Sequence, residues 1–101
     1  MEQSIIHIAL LAEDYNNAIA FYVNKVNFTI VEDIILSDFK RWILIQPPGS
    51  GGCCLLLAKA TNEQQRENVG NQCGGSFFLF LETDDFYRDY KCMVANDVAN
   101  L

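Results

Sequence analysis

The first quarter of the chain shows an apolar run followed by a helical repeat. Ser4–Leu11 is short, apolar and bounded by polar residues, which predicts a buried strand. Glu13 and Asp14 follow, and acidic side chains are suited to cap a helix and to lie near its positive end. Asn27 stands where a left-handed helix stop is expected. Between them, apolar residues recur at helical spacing and predict one face on a core: Tyr15, Ala18, Ile19, Tyr22, Val23 and Val26.

Further strands are predicted in the middle of the chain. Phe28–Glu32 and Phe39–Ile45 are rich in Phe, Ile, Val and Trp, which favours strands, and CCLLLA (53–58) predicts another. Gln46–Gly52, QPPGSGG, lacks the Gly-Lys-Ser/Thr ending of a phosphate loop and is interpreted as a hairpin connection. Lys59–Gly75 is polar and rich in Gln and Asn, which indicates a linker or lid that can hold a short helix in NEQQREN.

The opening pattern then restarts. Gly75–Glu82 predicts another strand, and Asp84 with Asp85 offers the same helix cap. Apolar positions follow at helical spacing and predict a second buried stripe: Phe86, Tyr90, Met93 and Val94. Two copies of one unit imply paired modules that bury a shared face. We therefore predict a single α+β domain over residues 1–101, with a βαβββ module (1–58), a linker (59–75) and a partial βα module (76–101).

Composition narrows the classes of function. Half of the 101 residues are hydrophobic, which excludes a disordered chain. The formal net charge is −6 and the Lys and Arg residues form no cluster beyond Lys40 and Arg41, so nucleic acid is not an expected partner. No apolar run approaches the roughly 20 residues that span a bilayer, so a membrane is not expected either. The acidic N-terminus lacks the basic region of a signal peptide, which favours a cytoplasmic location.

The four cysteines form no CxxC pair, and free thiols are expected in the cytoplasm. Cys53 and Cys54 are adjacent, so on a regular strand they face opposite sides and cannot both ligate one ion. His7 is the single histidine, so any Cys–His pair must use it. No sequence signal places Cys53, Cys73 or Cys92 beside His7.

Two segments carry a resemblance to a known family. HIALLAEDYNNAIAFYVNKVNF (7–28), with Asn27 in place of the usual Gly, and GNQCGGSFFLFLETDDFYRDY (70–90) resemble the module starts of the vicinal oxygen chelate superfamily. That family includes glyoxalase I, bleomycin-resistance proteins and extradiol dioxygenases. The resemblance implies a curved mixed sheet around a ligand cleft, with helices outside. The last three strands of a second module have no counterpart here. We expect a homodimer partner to complete the sheet, the alternatives being a fragment or a shortened gene product.

The resemblance also indicates where metal ligands would be expected. Metal-dependent members of the superfamily use four ligands, which come from the first and fourth strands of each module. His7 matches the first ligand position, but Phe78 and Leu56 stand at two others, and the strand for the last has no counterpart. One histidine does not hold a metal against water. We therefore expect no cofactor, with a divalent metal ion as the alternative and His7 as its ligand in that case.

A ligand cleft is expected where aromatic and acidic residues converge. If Phe78, Phe80 and Glu82 share a strand face, Glu82 stands beside rings that raise the pKa of its carboxyl group, which suits a general base or an anion for a cationic ligand. The alternative is a solvated acid at a strand end. Phe39 and Trp42 are candidates to stack a flat or cationic ligand, against ordinary core packing. The predicted ligand-binding residues are His7, Phe39, Trp42, Phe78, Phe80 and Glu82, with Glu82 as the catalytic candidate.

Three functions remain open at this point. The first is a metal-free small-molecule-binding protein of the glyoxalase/bleomycin-resistance type, with an aromatic and acidic cleft for a small hydrophobic or cationic molecule. The second is a metal-dependent lyase or dioxygenase, which rests on His7 and on family analogy. The third is a truncated, inactive relative that folds as an oligomer. Whether the protein is an enzyme is left open.

Overall fold

The computed structural model describes residues 1–49, 52–74, 78–81, 83–96 and 98. Its fold is α+β, as predicted. The elements in chain order are β1 (His7–Ala12), α1 (Tyr15–Ile19), a π-helical stretch (Ala20–Lys25), β2 (Thr29–Ile35), β3 (Arg41–Gln46), β4 (Cys54–Lys59), α2 (Glu63–Glu67) and α3 (Phe86–Ala95). No helix among these residues is long and apolar enough to cross a membrane.

The four strands form one mixed sheet in the order β1-β4-β3-β2. β1 runs parallel to β4, whereas β3 is antiparallel to both β4 and β2. A parallel pair needs a long crossover connection, and here α1, β2 and β3 lie in the chain between β1 and β4. The predicted βαβββ module is therefore confirmed, while the module boundaries at residues 58 and 75 stay a prediction.

The first helix begins and ends as the sequence predicts. Asp14 is extended, and its Oδ1 accepts a hydrogen bond from the Asn17 backbone N–H at 2.9 Å, which satisfies one of the free donors at the helix start. α1 continues without a break into the π-helical stretch. Asn27 then adopts a left-handed φ of 65°, and the Phe28 N–H donates back to the Tyr22 carbonyl at 2.8 Å.

The core lies between the sheet and the first helix. Ile43 and Ile45 of β3 are completely buried, and burying such a side chain contributes about 1.5–3 kcal/mol. Phe28 closes the core at the start of β2. The buried members are Leu10, Phe28, Ile43, Ile45, Leu55 and Leu57, against which Tyr15, Ala18, Ile19, Tyr22, Val26 and Phe78 pack.

The β2–β3 hairpin is longer than predicted. β2 continues past Glu32 to Ile35, with a register irregularity between Ile30 and Glu32, and β3 begins only at Arg41. Residues 36–40 form the turn, in which the Lys40 carbonyl accepts from the N–H groups of Leu36 and Ser37 at 2.9 and 3.1 Å. Phe39 therefore lies in a turn and not at the start of a strand.

The second half of the chain agrees with the prediction only in part. The short linker helix is α2, and α3 begins after Asp85 as predicted, with the Asp85 Oδ1 accepting from the Arg88 N–H at 3.1 Å. The strand predicted over 75–82 is not observed in its described part, Phe78–Leu81. Residues 75–77 and Glu82 lie outside the described residues. On the edge of β1 away from β4, the Gln72 side chain bonds to the Ala9 carbonyl and to the Leu11 N–H, each at 2.9 Å.

The predicted burial of the α3 stripe is wrong. Phe86 is 64% exposed and Tyr90 and Val94 are about half exposed. The rings of Phe86 and Tyr90 stack on each other at 5.8 Å between centroids. In the part of the chain that is described, no second sheet lies against this helix, so Phe86, Tyr90 and Val94 remain largely in water, whereas Met93 is half-buried.

Candidate functional site

The sheet has one face on α1 and one face away from it. In β1, Leu10 enters the core, so its neighbours in the odd positions point to the other side. Paired residues in neighbouring strands point to the same side of the sheet, so the register assigns the residues of all four strands to one side or the other. We call this side the open face; its residues are His7, Ala9 and Leu11 of β1, Cys54, Leu56 and Ala58 of β4, Trp42, Leu44 and Gln46 of β3, and Thr29, Glu32 and Ile34 of β2.

The sheet is curved, and two aromatic side chains meet above its open face. Paired residues of neighbouring strands form rows across the sheet. His7 lies in the row of Cys54, and Trp42 lies in the row of Ile34. The pair of Leu44 and Leu56 belongs to the row between these two. The two rings thus start from different rows, yet their centroids are 6.0 Å apart with planes at 74°, an edge-to-face contact. A curved sheet brings them together above the row between them. This explains why Leu44 in that row is only 2% exposed.

The His7 ring is held in one tautomer when it is neutral. Its Nδ1 lies 2.7 Å from the Ile6 carbonyl oxygen, and a carbonyl can only accept a hydrogen bond. Nδ1 therefore carries the proton, and the lone pair of Nε2 is left to accept from another molecule. Together with the edge of Trp42, this makes an apolar surface with one directed acceptor.

Cys54, which the sequence reasoning did not consider as a partner of His7, lies beside this residue. The register pairs His7 with Cys54, not with Cys53, Cys73 or Cys92. The Cys54 thiol is buried and its Sγ lies 3.6 Å from the Gln46 Oε1, the amide oxygen that accepts its weak hydrogen bond. All four cysteines are free, as predicted. Cys54 thus has a packing role, and only the parallel β1–β4 register could have placed it there.

Glu32 is a second residue that the sequence reasoning missed. It pairs with Leu44 and so lies on the open face, exposed, next to the apolar side chains of β3. The neighbouring acid, Asp33, falls on the helix side and is neutralised by Arg41 through a 2.6 Å ion pair. Glu32 makes no hydrogen bond or ion pair with any described residue. A negative charge therefore borders the concave surface.

The remaining predicted site residues differ in their burial. Phe39 in the β2–β3 turn is 86% exposed, and Phe80 is 87% exposed. Phe78 packs against the core on the helix side, where it lines a cavity of about 360 Å³ with Leu10. Glu82 lies outside the described residues. The structure thus brings together His7 and Trp42 from the predicted set.

The described residues do not fit a metal centre. Within residues 1–49, 52–74, 78–81, 83–96 and 98, no three His, Cys, Asp or Glu side chains are grouped so that they could hold an ion. His7 is the one member of the predicted ligand set with a donor atom, and the Cys54 opposite it directs its thiol to Gln46. A structural or catalytic zinc site needs three or four protein ligands.

A larger cavity of about 710 Å³ lies between the end of the first helix, the β3–β4 turn and the start of α3. Arg88 on its rim bonds to Asp84 at 2.7 Å and to Asp89 at 2.9 Å. Hydrogen bonds from Arg88 and from Thr83 hold the pKa of the Asp89 carboxyl below its usual range. The charged groups on this rim are already paired with one another, so the cavity offers a ligand mainly apolar surface.

Comparison with known proteins decides the family. The family model for the glyoxalase/bleomycin resistance protein/dioxygenase superfamily matches residues 4–100 of the sequence. The chain belongs to this superfamily. An uncharacterized protein of Shewanella frigidimarina (strain NCIMB 400) is 54% identical over 94 residues, which cover 92% of this chain and 70% of the relative. The superfamily resemblance expected from residues 7–28 and 70–90 is thus confirmed.

Solved structures share the fold of this superfamily member. UcmS2 superimposes with a TM-score of 0.80 at 19% identity, covering 98% of this chain and 78% of that protein. TnmS3, an antibiotic binding protein from Streptomyces sp. CB03234, gives a TM-score of 0.73 at 23% identity, covering 97% and 74%. At these identities the similarity shows the fold alone.

Proposed function

We propose that this superfamily member is a metal-free small-molecule-binding protein whose ligand lies on the open face. The observation that carries the proposal is the edge-to-face contact of His7 and Trp42, with Nδ1 of His7 bonded to the Ile6 carbonyl. The arrangement presents two aromatic rings and the Nε2 acceptor of His7 above the apolar side chains of a curved sheet. Small-molecule sites are commonly concave and mostly apolar, with a few directed polar groups. A similar fold in an antibiotic binding protein supports this reading.

The charge distribution favours a hydrophobic or cationic ligand. Glu32 borders the open face without a described ion-pair partner, and the chain carries a formal net charge of −6. The Glu32 carboxylate and the net negative charge both attract a cation. A flat cation can also stack on the ring of Trp42. Glu82 remains proposed as a second carboxylate of the cleft, or as a base if chemistry takes place there. Phe39 and Phe80 remain proposed as rings that close over a bound ligand, whereas the core packing of Phe78 argues for a structural role.

Two further properties belong to the proposal. We propose a homodimer, because β1 and β2 are both at the edge of the sheet and the exposed rings of α3 face water. We also propose a cytoplasmic location. A metal-dependent lyase or dioxygenase has less support, since the ligand set among the described residues stops at His7.

Calorimetric titration of chelator-treated protein tests the binding proposal. The probes are a planar cationic aromatic dye and neutral and anionic dyes of similar shape. We expect saturable binding that is tightest for the cationic dye. His7→Phe keeps the ring contact but removes the acceptor, so the affinity for a dye with an N–H donor should fall about two- to tenfold. Tyr87→Phe, on the exposed side of α3, is the matched control and should bind as the wild type does. Binding that is unchanged in His7→Phe, or that needs added metal, would contradict the proposal.

A further inference from the structure

One row of the open face carries, on each of the four strands, a side chain that can form hydrogen bonds. His7 lies opposite Cys54 in the pairing of β1 with β4, and Gln46 lies opposite Thr29 in the pairing of β3 with β2. The Cys54 Sγ and the Gln46 Oε1 are 3.6 Å apart, which joins the two pairs into a single row. We call these four residues the polar row. The open face beyond it is apolar apart from Glu32.

The polar row is more than a strand end covered by water. Cys54 in its middle is 9% exposed, and His7 and Gln46 on either side are half-buried, whereas Thr29 at the outer end is exposed. Polar groups that leave water are normally hydrogen-bonded in a folded protein. The partners of the two half-buried side chains therefore show which of their atoms are left for a ligand.

The Cys54 thiol fixes the direction of the Gln46 amide. It donates its weak hydrogen bond to Oε1, so the amide oxygen is turned towards β4. The Gln46 Nε2 carries two N–H donors, and neither bonds to a residue that the structure describes. Gln46 thus offers a donor on β3.

His7 offers the opposite group. Its Nδ1 donates to the Ile6 carbonyl, so the Nε2 of the neutral ring is an acceptor, and it makes no hydrogen bond within the described part of the chain. β1 and β3 are the two neighbours of β4, so their backbones lie about 9–10 Å apart. The polar row therefore holds an acceptor on one side of β4 and a donor on the other.

We propose that the polar row selects the ligand of the open face, and that the ligand is a flat aromatic molecule with an N–H donor and a carbonyl acceptor on opposite sides of one ring. The ligand N–H donates to the His7 Nε2, and the Gln46 Nε2 donates to the ligand carbonyl. The aromatic body contacts the apolar rows next to the polar row, where Leu56 and Trp42 lie. The inference rests on the proposed function, because it takes the open face as the place of binding and adds the atoms that choose the ligand.

This selection is independent of the preference for a cation. The carboxylate that attracts a positive charge is that of Glu32, which pairs with Leu44 and lies in the next row. The polar row distinguishes ligands by the positions of a donor and an acceptor, whatever their charge. Neutral probes therefore test the polar row without a contribution from Glu32.

Three flat neutral probes of similar shape provide the test. Acridone has an N–H and a carbonyl across its central ring, N-methylacridone lacks the donor, and carbazole lacks the acceptor. Calorimetric titration of chelator-treated wild-type protein should show acridone binding about three- to tenfold more tightly than either of the others, since each of them loses one hydrogen bond. Equal affinities for the three probes would overturn the proposal, and this comparison requires no variant to fold.

Two variants assign the two hydrogen bonds. His7→Phe should abolish the preference for acridone over N-methylacridone and keep the preference over carbazole. Gln46→Met retains the length of the side chain without its N–H groups, and it should show the reverse pattern. Gln64→Met changes an exposed glutamine on α2 and should bind all three probes as the wild type does. Both preferences surviving unchanged in His7→Phe and in Gln46→Met would contradict the assignment.

The outcome also separates this inference from the binding proposal. If the planar cationic dye binds to the wild type but the three neutral probes bind equally or not at all, the role of the polar row is wrong while the open face remains a binding site. If neither the dye nor any of the three probes binds, the proposed function itself fails, and this inference fails with it.

Discussion

Asp14 and Asp85 cap their helices with the same hydrogen bond. In each case Oδ1 accepts from the backbone N–H three residues later, at 2.9 Å for Asp14 and 3.1 Å for Asp85. Both residues have an extended backbone with φ of −148°. The two helices thus begin with the same N-cap interaction, although only the first of them packs on the core.

The caps should differ in their effect on stability. Replacing a capping Asp by Ala costs about 0.5–2 kcal/mol. Asp14→Ala should lower the free energy of unfolding by this amount, because α1 is part of the core. Asp85→Ala should cost less in global unfolding, because the exposed α3 can fray without opening the core. Urea denaturation measures both, with Asp14→Asn as a control that retains a cap. Equal losses in the two variants would contradict the account.

Asn27 should tolerate glycine but not alanine. Its φ of 65° is left-handed, a conformation that costs a residue with a Cβ atom about 1–2 kcal/mol. Asn27→Ala keeps this strain and loses the hydrogen bond from Asn27 Nδ2 to the Cys92 Sγ at 3.0 Å. Asn27→Gly loses the same bond but relieves the strain, so it should be the more stable variant by about 1 kcal/mol. Thermal unfolding of the two variants provides the comparison.

Tyr22 should make the fold sensitive to alkaline pH. Burial raises the pKa of its phenol above the ordinary value of 10.0. The folded protein therefore keeps this proton at a pH at which the unfolded chain loses it. The stability linked to Tyr22 is fully present below pH 10.0 and is lost as the pH rises towards the folded pKa. Tyr22→Phe should show a smaller fall in stability above this pH, measured by urea denaturation. A fall of the same size in both proteins would contradict the prediction.

The sequence predicted the first module well because its signals are local. Capping at Asp14, the helical stripe and the left-handed Asn27 depend on neighbours along the chain. The side of the sheet on which Glu32 lies depends instead on the register irregularity at Val31. The position of Cys54 opposite His7 depends on the pairing of β1 with β4. Neither is visible in a hydrophobic pattern.

The second half of the chain was predicted less well for a related reason. An apolar stripe such as that of α3 shows which face could be buried but not whether a surface lies against it. The edge contact of Gln72 has no pattern in the sequence at all, because it joins residues more than sixty positions apart.

Trp42 allows the central claim to be tested directly, because it is the only tryptophan in the chain. Its fluorescence reports on the open face beside His7. The measurement is a titration of chelator-treated protein with the planar cationic dye, followed by the same titration of Glu32→Gln and of the control Asp38→Asn. We predict a saturable change in emission without metal, with an affinity reduced about two- to fivefold in Glu32→Gln alone. Emission that does not respond to the dye until a divalent metal is added would contradict a metal-free binding site on this face.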